Sequence, residues 1–286
     1  MGDVVVGDET TRAGDFLGEV LTGLVGLVRA NAEWFAETHE VDALHQLRIS
    51  VRKTRALGTF MDPLTLGDPV LRGANRRLRE LARPFGEVRD LDVLMAAVGE
   101  AVAPVVEADR GALRESLGRR RGKAAAEAEA LLDSLAWQQE LDVLQVAATE
   151  GQWRRGPAAE ESARYVVVHG LDAWWWTLTE RWRDLAHLSD SKRHRLRIAA
   201  KKMRYLTELT AGLWEPEVGE RREAATAAFK LLQDNLGELQ DYVAAVEVIR
   251  AHGFRATGAD PRSVTAAMAG AVAVRSELEA AGPYWR

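Results

Sequence analysis

The sequence predicts an all-α protein: two duplicated four-helix bundles packed about a pseudo-twofold axis, with a groove or pore between them. Three observations lead there. Almost every segment spaces its apolar residues with helical period, and strand-like alternation is nearly missing. Ala, Leu, Arg and Glu, all good helix formers, dominate a chain with only eight prolines. Two pairs of segments also recur in the same order, one pair 149 residues apart and the other 151.

Residues 1–12 read as a disordered tail, and the helices follow. Apolar period places the first four over 13–38, 41–61, 67–101 and 105–133. The stretch DPLTLGDP at 62–69 separates the second from the third, and Pro84 kinks the third. A short helix or irregular linker covers 135–157, where GQWRRGPAAE interrupts the pattern. The last four helices fall at 158–186, 190–212, 217–251 and 261–281, punctuated by SDS at 189–191, WEPEVG at 214–219 and GADPRS at 258–263. One domain over 13–286 therefore divides into a first repeat (13–134), a linker (135–157) and a second repeat (158–286).

Composition limits what such a protein does. Cysteine is absent, which removes disulfides and thiolate metal sites. The N-terminus has neither the basic start nor the apolar run of a signal peptide, and no apolar stretch approaches the length of a membrane span. The expected compartment is the cytoplasm. With 43 acids against 38 bases, the net charge of −5 speaks against coating nucleic acid over the whole surface, but it leaves room for a local basic site.

Such a site is visible in ALHQLRISVRKTRAL, residues 43–57, which no acid interrupts. On a helix, His45, Arg48, Arg52 and Arg55 fall within an arc of about 80° along about 15 Å. His194, Arg197, Lys201 and Arg204, in RHRLRIAAKKMRYL, repeat that spacing. The next helix adds Arg72, Arg76, Arg79 and Arg83 within an arc of about 60°. A solvated face should sit opposite the apolar one. Here Leu47 and Val51 flank the cations on one side and Ile49 on the other, with Leu196, Ala200 and Ile198 copying them. On the same wheel Gln46, Ser50 and Lys53 face open solvent. The stripe thus reads as lining a concavity whose internal counter-charges, Asp90 and Asp241, are too few. An external anion is required. Arg forks and Lys point charges suit phosphate, and repeated long stripes suit a polyanion. The segments GEVRD and GELQD do not match a phosphate-binding P-loop.

HQLRISVRKTRAL and HRLRIAAKKMRYL resemble the two histidine-headed signature helices of the CHAD domain, the conserved histidine α-helical domain. LARPFGEVRDLDVL resembles the segment that follows the first of them. The resemblance runs from about residue 13 to 281. It implies a helical duplication whose basic channel binds inorganic polyphosphate. It also implies association with polyphosphate granules and protein partners in polyphosphate metabolism. Carried across, the binding positions are His45, Arg48, Arg52, Lys53 and Arg55, with counterparts His194, Arg197, Lys201, Lys202 and Arg204. Arg79 and Lys230 are equivalent on the following helices. Arg72, Arg76, Arg83 and Arg89 belong to the first half only, since Ala227, Asp234 and Gln240 stand near the matching places.

The remaining motifs add no catalyst. No HxxxH or HExxH pattern exists, and cations crowd His45 and His194, so these read as phosphate donors rather than metal ligands. No cofactor is expected. His39, His169, His187 and His252 read as surface or helix-end residues. In AWWWTLTERW, three consecutive tryptophans span about 200° of helix, so they cannot share one ligand, and at least one marks a partner surface or crevice. No carboxylate cluster, activated nucleophile or ExExK signature appears, and the protein is read as a binding module rather than an enzyme. Two alternatives stand beside this reading. One is a nucleic-acid binder, for which the signature helices offer a single aromatic, Tyr205; the other is a metal-dependent phosphohydrolase.

Overall fold

The computed structural model describes residue 7 and residues 10–100, 103–214, 216–258 and 261–286. Of the tail expected over 1–12, residues 1–6, 8 and 9 lie outside them, as do Glu215 of the WEPEVG turn and Ala259 and Asp260 of the GADPRS turn. The chain is all-α. Its helices in order are α1 (Ala13–Thr38), α2 (Val41–Leu64), α3 (Pro69–Leu81), α4 (Arg83–Gly99), α5 (Arg110–Leu132), α6 (Leu135–Glu150), α7 (Pro157–Glu160), α8 (Ala163–Trp182), α9 (Asp190–Leu209), α10 (Pro216–Ala251) and α11 (Pro261–Ala281). Among the described residues the only β-pairing is two isolated bridges, Arg12–Ser162 and Val105–Ala256. None of the described helices is long and apolar enough to cross a membrane.

Three segments depart from expectation. The helix expected over 158–186 is divided into α7 and α8, with Glu161 and Ser162 between them. The third helix, expected as one kinked element over 67–101, is two helices divided at Ala82. Pro84 explains the break. It has no N–H to donate and disfavours helical backbone just before it, yet it is tolerated in the first turn of a new helix, where N–H groups lack partners anyway. The segment 135–157, expected as a linker, holds α6 and a 3-10 turn over Gln152–Arg155. The Ser134 hydroxyl caps α6 by accepting from the Trp137 N–H at 3.2 Å. Trp137, Leu141, Leu144 and Ala148 recur with helical spacing and are buried, and α6 packs on α1 and α3. The polar, glycine-rich run that follows hid this stripe.

The chain forms two compact units, and each takes pieces from both halves of the sequence. The first comprises Met1–Arg89, Ala124–Asp172 and Tyr205–Gly219. Its core is organised on α1, where Phe16, Leu17, Val20, Leu21, Leu24, Val25, Val28 and Phe35 form one buried stripe against α2 and α6. His39 ends α1 in left-handed conformation (φ 55°), with its N–H on the Phe35 carbonyl at 2.9 Å. Asp68 starts α3, accepting from the Val70 and Leu71 N–H groups at 2.9 and 3.0 Å. A charged pair joins α3 to α6 at the edge of the core: the exposed Arg77 of α3 donates to Glu140 of α6 from Nε at 2.5 Å and from Nη2 at 3.4 Å, and Glu140 is only 4% exposed.

The second unit comprises Asp90–Lys123, Ala173–Arg204 and Glu220–Arg286. Aromatic rings dominate its core. Trp175 meets Trp182 at 5.5 Å, Trp285 at 6.1 Å and Phe229 at 6.3 Å, all edge to face. The three consecutive tryptophans divide as their angular spread requires: Trp175 joins this cluster, Trp174 is half-buried and Trp176 is 66% exposed.

The Arg77–Glu140 pair generates a stability test. Removing the arginine strands a buried carboxylate, so Arg77→Ala should destabilise by about 2 kcal/mol in urea denaturation. Adding Glu140→Gln to that variant should recover part of the loss, because a neutral amide is cheaper to bury unpaired. Equal loss in the single and double variants would mean that the carboxylate charge is not the cause.

Candidate functional site

The position of α2 is set by its buried stripe of Leu44, Leu47, Val51, Thr54, Leu57 and Met61. Ser50, expected toward solvent, lies inside that stripe at 3% exposure. Its hydroxyl donates to the Leu47 carbonyl at 2.8 Å, and Thr54 donates to the Ser50 carbonyl at 2.9 Å. Hydroxyls satisfied on the preceding turn can be buried at little cost, so polarity alone misplaced Ser50. Lys53, also expected toward solvent, is half-buried. It pairs with Glu208 of α9 at 2.8 Å and lies 6.0 Å from the Tyr205 ring centroid. Gln46 is exposed as expected.

The other face of α2 gathers the cations. His45, Arg48 and Arg55 are half-buried and Arg52 is exposed. Arg79 of α3 and Arg89 of α4 join them electrostatically. Burial lowers the pKa of His45, and Arg89, Arg48 and Arg52 lower it further, against which Asp42 is the only opposing influence among the named causes. Burial followed by Arg79 and Arg52 depresses Arg55 in the same way, and its Nε is buried without a hydrogen bond inside the chain. Like charges about 4 Å apart repel by about 1 kcal/mol in bulk water and about 4 kcal/mol near a protein surface. The named charges acting on His45 and Arg55 are thus mostly positive, with Asp42 opposing them at His45. Six expected residues, His45, Arg48, Arg52, Arg55, Arg79 and Arg89, converge here.

Others do not join them in the expected way. Arg72 is clamped by Asp62, Nε to Oδ1 at 2.9 Å and Nη2 to Oδ2 at 3.2 Å, which raises its pKa. Arg76 is exposed on α3. Arg83 lies past the break at Ala82, so the single arc expected from Arg72 to Arg83 stops at Arg79.

In the second unit, α9 carries its repeat of the stripe. Leu196 and Ala200 are fully buried, but Ile198 is 40% exposed, so apolar core brackets the cations on one side only, contrary to expectation. His194 is exposed, whereas Arg197, Lys201, Lys202 and Arg204 are half-buried. The Lys202 ammonium lies 5.5 Å from the Trp174 ring centroid. Arg197 Nη2 stands 3.8 Å from Asp241 Oδ1, the counter-charge expected for this half. Lys230 is exposed and pairs with Asp234 one turn along α10 at 2.7 Å. Exposed pairs of this kind contribute little to stability.

Two contributions escaped the sequence reading. Gly237 of α10 packs against the Arg197 guanidinium, and only the GELQD motif hinted at it. Trp174 was read as core or partner surface, and nothing in the sequence paired it with Lys202.

The CHAD domain family model matches residues 19–250. No curated protein matches the chain. Among solved structures, the CHAD domain from the plant Ricinus communis aligns with a TM-score of 0.69 at 21% identity, covering 98% of this chain and 91% of that one. PptA from Streptomyces chartreusis aligns with a TM-score of 0.58 at 19% identity, covering 95% and 96%. At these identities the structural matches speak for the fold.

The lowered pKa of His45 has a definite sign for stability. The unfolded chain protonates this imidazole more readily than the folded one. Its contribution is thus complete above the ordinary histidine pKa and is lost as pH falls through the lowered value. Urea midpoints measured from about pH 7.5 down to about pH 5 should fall less for His45→Gln than for the parent chain. Parallel curves would place the acid sensitivity in other groups.

Proposed function

The chain belongs to the CHAD domain family, and on that premise we propose that it binds inorganic polyphosphate without turning it over. The observation that carries this reading is the convergence around α2, where burial first, and then guanidinium groups from α2, α3 and α4, lower the pKa of His45 and of Arg55. A polyanion with regularly spaced charges relieves that repulsion, and arginine forks match its phosphate oxygens. The same residue types on α9 offer a second set of contacts. His45, Arg48, Arg52, Arg55, Arg79 and Arg89 are the binding residues proposed in the first unit. His194, Arg197, Lys201, Lys202 and Arg204 are those proposed in the second. Arg76 and Arg83 are outlying contacts. Lys53, Arg72 and Lys230 take part by exchanging Glu208, Asp62 and Asp234 for phosphate. Retention at cytoplasmic polyphosphate granules, together with proteins that make or degrade the polymer, is part of the same proposal.

The nucleic-acid alternative has one feature in its favour, the aromatic Trp174 beside the cations of α9. Its ring already lies near the Lys202 ammonium, so a base would have to displace that contact to stack there. Competition separates the two readings: polyphosphate should displace RNA or DNA far more readily than the reverse.

Titration calorimetry with polyphosphates of graded length should show affinity rising with chain length, then levelling off, and weakening steeply with salt. Reversing Arg48 and Arg197 together to Glu should abolish binding while circular dichroism stays unchanged; binding that survives would sink the assignment. Orthophosphate release with Mg²⁺ or Mn²⁺ should be absent, and its appearance would make the protein an enzyme.

Binding should also take up a proton. A bound anion raises the depressed pKa of His45, so affinity should increase as pH falls from about 7.5 to about 5.5, and less so in His45→Gln. The same pH dependence in both proteins would exclude His45 from the contact.

A further inference from the structure

Gly237 sits in the interior of α10, a 36-residue helix, where glycine is less stable than alanine. It does not have the positive backbone angle that would require glycine. What it does have is a close neighbour. A Cβ built at this position would stand 3.2 Å from Nη2, 3.3 Å from Nε and 3.6 Å from Cζ of Arg197. The guanidinium therefore rests on bare helix backbone, at a distance that a methyl group would contest. Asp241 follows one turn later on the same face of α10, with Oδ1 3.8 Å from Arg197 Nη2. Arg197 Nε is buried and makes no hydrogen bond inside the chain. The group is held by contact on one side and by charge at one end.

The first half of the sequence carries the same Gly-x-x-x-Asp spacing in Gly86 and Asp90. A Cβ at Gly86 would meet nothing within 4 Å. Close packing is thus specific to Gly237 and does not come with the motif.

We propose that Gly237 is a positioning residue, the seat that holds the Arg197 guanidinium in place for an incoming phosphate. Asp241 keeps it from swinging away before the ligand arrives. Presenting a preset fork reduces the ordering that binding must otherwise impose on a long side chain. The functional half of this inference rests on the polyphosphate reading; the structural half does not.

Two measurements on the full chain separate these halves. The first needs no ligand. In an arginine Nε–Hε NMR spectrum, the Arg197 resonance is identified as the one missing in Arg197→Ala. It should shift in Gly237→Ala and stay in place in Gly86→Ala, the control with open space. An unmoved resonance in Gly237→Ala overturns the seat.

The second is a double-mutant cycle with polyphosphate of defined length. Gly237→Ala should weaken binding about tenfold, roughly the worth of one charge-assisted hydrogen bond, and Gly86→Ala should leave it unchanged. In the Arg197→Ala background, Gly237→Ala should have no further effect. A loss that persists there shows that Gly237 acts through something other than Arg197 and overturns the proposal. If the parent chain binds no polyphosphate at all, the functional reading and the ligand role fall together, and the resonance alone decides the seat.

Discussion

The crowding of like charge on one face of α2 is tolerated because the opposite face is fixed in a core. Leu44, Leu47, Val51, Leu57 and Met61 leave the helix no freedom to roll and hand its arginines to water. Each such side chain contributes about 1.5–3 kcal/mol on burial, so the stripe outweighs the repulsion it imposes on His45 and Arg55. The pKa values of those two groups are lowered first by burial and then by the neighbouring arginines. Local packing and the presentation of these cations are set by one constraint, the register of α2.

The second unit meets the same demand with different means. Its helix α9 has less apolar cover, since Ile198 is partly in water where its counterpart Ile49 is half-buried. Individual cations are steadied one by one instead, Lys202 near Trp174 and Arg197 between Gly237 and Asp241. The aromatic core of Trp175, Trp182, Phe229 and Trp285 gives α8 and α10 a rigid base for that work. The matching stripes of α2 and α9 are thus supported by different contacts.

Most of the helical organisation was legible in the sequence because apolar period is a strong signal over long elements. α1 fits its expected bounds to the residue, and α11 likewise. What misled were residues whose chemistry and position disagree. Ser50 is polar yet buried, because its hydroxyl bonds to its own helix. The polar run after Glu150 disguised the apolar stripe of α6. Pro84 was read as bending a helix that it in fact divides. The cation stripes were readable from spacing alone, but their partners were not. Asp62 on Arg72, Glu208 on Lys53 and Trp174 beside Lys202 come from elsewhere in the chain, and only folding reveals them.

Each compact unit is stitched from three separate stretches of chain, and the first is complete only with Tyr205–Gly219. A ribosome delivers residues in order, so α1, α2 and α3 must wait, incompletely covered, until the end of α9 has emerged. Both units also depend on contacts remote in sequence, a topology that slows folding. Cutting the chain between its two sequence repeats would yield two incomplete bodies rather than two working modules.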